Sequence, residues 1–206
     1  MDRKPIIGLC GGLGSGKSFV ARLLVEQGCG LIDADANVAE LYQDSEFKQH
    51  LQQRFGEELL NRNGEVNRKW LADVIFNDPY ERRRLEAMVH PRVRQRRQQQ
   101  LEAFQSDPNV RAIVLDVPLL FEVHGENICD WVIFVDADEP LRQQRVATHR
   151  GWDGAELRRR EAAQTPLKQK RELADEVIYN NSSLEECRRQ VLQILARRLP
   201  AINTDP

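Results

Sequence analysis

The chain alternates short apolar runs with longer stretches whose apolar positions recur at helical spacing. Five runs are strand-like: "PIIGLC" (5–10), "GLIDAD" (30–35), "VRAIVLDVP" (110–118), "DWVIFVDA" (130–137) and "EVIYN" (176–180). The first, third and fourth are nearly continuous rather than alternating, the pattern of parallel strands covered on both faces. Between them the periodicity changes. "SFVARLLVEQG" (18–28) predicts an amphipathic helix closing at Gly28. From Ala36 to about Ser106 the pattern is helical and polar, broken by the turn "NRNGEV" and by Pro79, with His90-Pro91 ending one helical run. Further helical segments follow from Glu139, interrupted at "GWDG" and at Pro166. "SLEECRRQVLQILARRL" predicts a last helix opened by a Ser183/Glu186 capping box. The tail "PAINTDP" is expected to fray.

Strands alternating with helices predict an α/β fold, a doubly wound parallel sheet of five strands. Two helical segments look like additions to it, at 36–106 and 139–173. Neither is long or apolar enough to be expected as an independent domain. A single domain spanning 1–206 is therefore expected, its core drawn from 1–35, 107–138 and 174–199.

Composition narrows the classes of function. Of 206 residues, 41% are hydrophobic and 30% charged, enough for a core and a soluble surface. The net charge of -2 supplies no overall basic field, so nucleic acid is not an expected partner. Arginines do cluster at "ERRRL", "RVRQRR" and "LRRRE", and such runs read first as solvated helix faces. Cys10, Cys29, Cys129 and Cys187 form no C-x-x-C pair and predict no zinc site. No apolar stretch approaches the roughly 20 residues a membrane helix needs, and no signal peptide opens the chain. The expectation is a soluble cytoplasmic protein.

Candidate chemistry begins where the first strand ends. Gly11-x-x-x-x-Gly16-Lys17-Ser18 fits the P-loop pattern and lies between a strand and a helix, the context that gives the motif meaning. Glycines let the backbone curl until successive N–H groups face inward as an anion nest, and the helix start adds its positive dipole end. The expected nucleotide contacts are Gly12, Leu13, Gly14, Ser15, Gly16, Lys17 and Ser18. Lys17 can reach the β- and γ-phosphates, and the Ser18 hydroxyl can ligate Mg²⁺.

Asp33 and Asp35 close the second strand, where open α/β sheets bind ligands. One of them can orient a hydroxyl toward the γ-phosphoryl group while the other caps the helix after it; we expect Asp33 to act and Asp35 to cap or support. Asp116 ends the third strand in the place of a Walker-B-like acid, but Val117 and Pro118 follow it rather than the catalytic Glu of a motor ATPase. His90 alone reads as a structural residue.

Taken in order, "GLCGGLGSGKS", "DAD" (33–35), "HP" (90–91), "PLLFE" (118–122), "VDADEPLRQQRVATHR" (135–150) and "AAQTPLKQKRELADEVIYNN" (162–181) resemble the dephospho-CoA kinase family over nearly the whole chain. The P-loop is common to many families; the other motifs in this order are much more specific. The resemblance implies a P-loop kinase core, with 36–106 as a helical substrate-binding part and 139–173 as a helical lid. It implies ATP and dephospho-CoA as substrates, Mg²⁺ as cofactor, and phosphorylation of the ribose 3′-hydroxyl to give CoA, the last step of its synthesis. It further implies that Asp33 faces that hydroxyl. His90, Pro118 and Leu119 would line the acceptor pocket with Asp33 and Asp35, and Arg145 and Arg150 would meet ATP phosphates or adenine. A monomer or small homo-oligomer is expected. The chain departs from the family pattern at Phe19, where a Thr is usual, at Glu161, where an apolar residue is usual, and at Tyr179 and Ser182, where Asp and Gly are common.

Three rival readings remain. A kinase for another small acceptor, such as a nucleoside monophosphate, shares the P-loop and is opposed only by the later motifs. A GTP switch would need a guanine-reading N-K-x-D, which the chain lacks. A non-catalytic module with a decayed loop is opposed by intact Lys17, Ser18 and Asp33.

Overall fold

A computed structural model describes residues 3–199, so the tail expected to fray lies outside the described residues. Its frame is a five-stranded parallel sheet in the order β2-β3-β1-β4-β5. The strands are β1 (Ile6–Gly11), β2 (Cys29–Asp33), β3 (Ala112–Asp116), β4 (Trp131–Asp136) and β5 (Glu176–Tyr179). β1 lies between β3 and β4, with Ile7 opposite Val114 and Leu9 opposite Ile133. Every residue of β1 and β3 is buried, which explains why both read as unbroken apolar runs.

Helix α1 (Lys17–Glu26) follows β1 and closes at Gln27 and Gly28, the latter at φ 83°, a left-handed stop that glycine adopts without penalty. Helix α9 (Leu184–Arg198) is opened by the Ser183 hydroxyl, which accepts the Glu186 N–H at 3.2 Å. The predicted box is half realised, because the Glu186 carboxylate pairs with Arg189. Val20 and Leu24 of α1 and Val191, Ile194 and Leu195 of α9 complete a core with Ile7, Leu9, Val114 and Ile133. Cys10, Cys29 and Cys187 are buried free thiols; burial pushes Cys10 up to about 12 and Cys29 up to about 11, the protonated state of small hydrophobes.

The segment between β2 and β3 holds α2 (Ala34–Leu41), α3 (Ser45–Phe55), α4 (Arg68–Asn77) and α5 (Pro79–Ser106). Residues 33–102 form a compact unit with its own apolar cluster, including Leu41, Phe47, Leu51, Leu59, Leu71 and Leu85. Its few apolar positions converge because they are spaced at helical periodicity on four helices. The "NRNGEV" turn forms as expected, with the Asn61 side chain accepting the N–H groups of Asn63 and Glu65 at 2.9 and 3.0 Å.

One boundary differs from the sequence reading. His90-Pro91 does not end a helix: α5 runs through Pro91 for 28 residues. Proline removes one N–H and crowds the carbonyl four residues back, a cost of about 3 kcal/mol that tertiary packing can outweigh. Leu85 and Val89 before Pro91, and the partly buried Val93 after it, all pack on the same apolar cluster.

Between β4 and β5 lie α6 (Glu139–Arg150), α7 (Gly154–Glu161) and α8 (Leu167–Glu172), with breaks at Gly151 and before Pro166 as the pattern predicts.

Candidate active site

The glycine-rich loop connects β1 to α1, and its conformation depends on residues with no side chain. Gly11 has φ 152°, and a Cβ there would lie 2.5 Å from the Val135 carbonyl oxygen. Gly16, at φ 92°, is the left-handed residue that starts α1; a Cβ there would lie 2.2 Å from Asn180 Nδ2. The first turn of α1 begins at Lys17, so N–H groups without an intrahelical acceptor point from the loop and the helix start. That is an anion-binding geometry.

Lys17 is half-buried as the first residue of α1, and its Nζ donates to the Gly11 carbonyl at 3.3 Å. Burial pulls its pKa below the ordinary lysine value, and the Lys170 and Arg150 cations add to that; Asp116 and Cys10 oppose it. A charge held in this way gains more from an arriving phosphate than a solvated one does. Ser18 is exposed beside it, and Asp116 is buried at the end of β3.

The loop is supported from beneath by residues 130 and more positions away. Arg145 donates to the carbonyls of Gly14 at 3.3 Å, Ser15 at 3.2 Å and Asn180 at 3.0 Å. Asn180, just past β5, donates through Nδ2 to the Ser15 carbonyl at 2.8 Å. The Arg150 guanidinium instead lies over the Trp152 ring, 4.8 Å from its centroid. Their five-residue spacing on α6 sends the two arginines in different directions, yet both reach the rim of one cavity of about 490 Å³. Lys17, Ser18, Arg22, His149 and Leu184 complete much of its lining.

Sequence reasoning missed Arg22, His149 and Asn180. Arg22 is legible after the fact, since it follows Ser18 by one helical turn. Asn180 carries no local signal beyond its place after a strand.

The sheet-bearing unit also holds Pro118 and Leu119, in the turn after β3. Leu119 lines a second cavity of about 380 Å³ with Leu13, Arg150, Trp152 and Arg160. Glu122, which ends "PLLFE", is bound by the buried Lys170 ammonium at 2.9 Å and by the Thr165 N–H at 2.7 Å. Burial acts to raise the Glu122 pKa, but these two donors outweigh it and hold the carboxyl below the usual range. This turn is therefore fastened to the start of α8.

The acids of "DAD" are arranged differently from the expectation. Asp33, not Asp35, is the N-cap of α2: its Oδ1 accepts the Ala36 N–H at 2.9 Å. Asp35 lies exposed in the first turn, where a negative charge suits the helix dipole. The reason is local, because β2 runs to Asp33 and leaves its backbone extended (φ -98°, ψ 114°), the conformation a cap requires. His90 is exposed on α5. Asp33, Asp35 and His90 all belong to the 33–102 unit.

A Mg²⁺ ion fits the donors present. Among the described residues no cluster of three or more His, Cys, Asp or Glu could cage a metal. Mg²⁺ is commonly held by one or two protein oxygens with waters and phosphates, and the Ser18 hydroxyl, next in the chain to Lys17, and the Asp116 carboxylate, which acts on the Lys17 charge, are hard oxygen donors.

A parallel α/β sheet with this loop leaving its central strand defines a P-loop kinase fold. The sequence profile of CoaE, dephospho-CoA kinase, matches residues 5–186. A dephospho-CoA kinase of Geobacillus kaustophilus is 40% identical over 191 residues, 92% of this chain and 94% of that protein. One from Syntrophotalea carbinolica is 36% identical over 96% of this chain and 93% of its own length. The crystal structure of TT1252 from Thermus thermophilus superposes with a TM-score of 0.81 at 34% identity, covering 97% of this chain and 100% of that one. The chain belongs to the dephospho-CoA kinase family.

Proposed function

We infer that the protein transfers the γ-phosphoryl group of ATP to the ribose 3′-hydroxyl of dephospho-CoA, the last step of CoA biosynthesis. The observation that carries this reading is the family match over residues 5–186, with the P-loop intact and open to a cavity of about 490 Å³.

The loop's geometry supports the following division of labour. The loop N–H groups and Lys17 receive the β- and γ-phosphates, and Lys17 leaves the Gly11 carbonyl for the phosphate oxygens. Ser18 and Asp116 would hold Mg²⁺, which when bound would supply charge neutralisation. Phosphoryl transfer proceeds through a loose transition state, so placement and charge compensation carry most of the catalysis. Arg150 reaches the nucleotide from the rim. Arg145 contributes chiefly by holding the loop carbonyls outward, which turns the N–H groups in.

In this reading Asp33 orients the acceptor hydroxyl. Capping engages Oδ1, and a carboxylate has a second oxygen with its own lone pairs. Carboxylates are weak bases toward sugar hydroxyls, so the proton passes late, an effect of roughly 10²–10⁴-fold. Asp35 and His90, and likewise Pro118 and Leu119, are read as residues that contact the acceptor, 36–106 as the substrate-binding part, and 139–173 as the lid that excludes water. The cavity beside Leu119, with its arginines, suits a phosphorylated acceptor.

Among the described residues no helix is long and apolar enough to cross a membrane. Our reading is a cytoplasmic enzyme acting as a monomer or small homo-oligomer, with no nucleic-acid partner. The test is direct: incubate the pure protein with ATP, Mg²⁺ and dephospho-CoA, and follow CoA by mass spectrometry. Appearance of CoA supports the reading. ATP turnover without CoA, or phosphorylation of a nucleoside monophosphate instead, overturns it.

A further inference from the structure

Leu13 lies inside the run Gly11-Gly12-Leu13-Gly14-Ser15-Gly16, where backbone freedom is greatest and ordering most costly. Its peptide groups are nevertheless fixed at both ends. The Leu13 N–H donates to Glu161 Oε1 at 3.1 Å, and the Leu13 carbonyl accepts from Arg142 Nη1 at 3.3 Å. The same Nη1 pairs with Glu161 Oε1, and Arg142 Nε donates to the Ala137 carbonyl at 3.1 Å, just past β4. Arg142 is buried, at 6% exposure, and Glu161 ends α7. The fit is tight, since a Cβ on Gly12 would lie 2.8 Å from Arg142 Nη1 and one on Gly14 would lie 2.7 Å from the Arg142 carbonyl oxygen.

A buried ion pair is in itself weak support for a fold, because desolvation offsets most of the attraction. This one does something a hydrophobic pair could not: it offers one donor and one acceptor, each to the matching group of a single loop residue. We propose that Arg142 and Glu161 form a clamp that holds the Leu13 peptide groups in the anion-binding conformation, so that both act as positioning residues for ATP. The ordering cost of the loop is then met during folding rather than on nucleotide binding. The clamp also ties the end of α7 to the loop, which makes that helix sensitive to the loop's occupancy. The proposal rests on the reading of this loop as the ATP site.

The experiment compares the dissociation constants of ATP and of dephospho-CoA, together with the melting temperature, in the wild type, Glu161→Ala and the double variant Arg142→Met/Glu161→Met. The double variant removes the clamp but leaves two well-packed apolar side chains, so it keeps the fold even if Glu161→Ala, with its stranded arginine, does not. The clamp predicts that the double variant melts at or above the wild-type temperature yet binds ATP ten- to a hundredfold more weakly, on the order of one charge-assisted hydrogen bond. Its affinity for dephospho-CoA stays within about twofold. Folded Glu161→Ala loses ATP affinity to a similar degree. Wild-type ATP affinity in the double variant overturns the clamp, as does a parallel loss of both affinities. A wild type that binds no ATP overturns the reading of the loop itself, and the clamp with it.

Discussion

The sheet-bearing part of the chain and the 33–102 unit differ in how deeply they place their most buried charges. Around the sheet, charge is buried and paired: Lys170 with Glu122, Arg142 with Glu161, and Arg145 on three carbonyls. In the 33–102 unit, Arg84 and Arg68 are exposed and lie over rings, 4.5 Å from Tyr80 and 5.1 Å from Tyr42, while Arg54 pairs with the half-buried Glu81. The first arrangement is costly unless every partner is present; the second tolerates the loss of any one. A phosphate site needs the first kind, because fixed dipoles and unshielded cations are worth more away from water. The 33–102 unit is held by aliphatic and aromatic packing and by side-chain caps, as at Asp44 and Asn67.

That contrast is sharpest under truncation of one partner. Glu122→Ala should destabilise by about 3–5 kcal/mol by leaving the buried Lys170 charge without a carboxylate, its Nζ holding only the Gln164 amide oxygen, whereas Arg84→Ala should cost under about 1 kcal/mol. Denaturant unfolding of the two variants measures the difference, and equal losses would erase the distinction. Glu122 also ties stability to pH. Its folded pKa is depressed, so its contribution is full above the unfolded carboxyl value and is lost as pH falls through the lower folded value.

Lys17→Ala should reduce phosphoryl transfer by about 10²-fold or more while the protein stays folded, since its Nζ donates to a loop backbone carbonyl, that of Gly11. Steady-state kinetics with a melting curve checks both halves, and an unfolded variant would show that the lysine has a structural role.

Asp33 joins the two regions' concerns in one residue. Asp33→Asn keeps a capping oxygen but offers no negative charge, so kcat should fall roughly 10²-fold with little change in ATP affinity or melting. Asp33→Ala should lose the same activity and also about 1 kcal/mol of stability. Asp35→Asn should be mild in both. Full activity in Asp33→Asn would leave the carboxylate with its cap alone.

The smallest expected effect concerns pH. Because burial lowers the Lys17 pKa, ATP affinity should weaken as pH rises through a value below the ordinary 10.5, earlier than for a solvated lysine. Phosphate favours the protonated form, so binding in that range takes up a proton. Calorimetry in buffers of different ionisation enthalpy would detect the uptake, and its absence would place Lys17 away from the phosphate.

These regions also differ in how far the sequence discloses them. β1, β3 and β4 are legible because buried parallel strands need apolar residues at every position. The loop is legible because its chemistry is contiguous, Gly11 through Ser18. The Arg142–Glu161–Leu13 contacts are not, since they join residues 129 and 148 positions apart and each residue type suits an exposed helix. Pro91 misleads because a local rule yields to packing on Leu85, Val89 and Val93. Asp33 and Asp35 could not be told apart as caps, since that depends on where a strand stops, to within one residue.

The protonated thiol of Cys10 has a use outside the reaction. It stands on the central strand, 3.5 Å from the Ile133 carbonyl, and one residue before the loop. Cys10 is 4% exposed, so a thiolate-seeking reagent can reach it only when the packing over this face of the sheet opens, and its labelling rate is a clock for that opening. Nucleotide held by the adjoining loop stabilises the closed form and slows the clock as its occupancy rises. The strand thereby carries a built-in reporter of binding that needs no turnover.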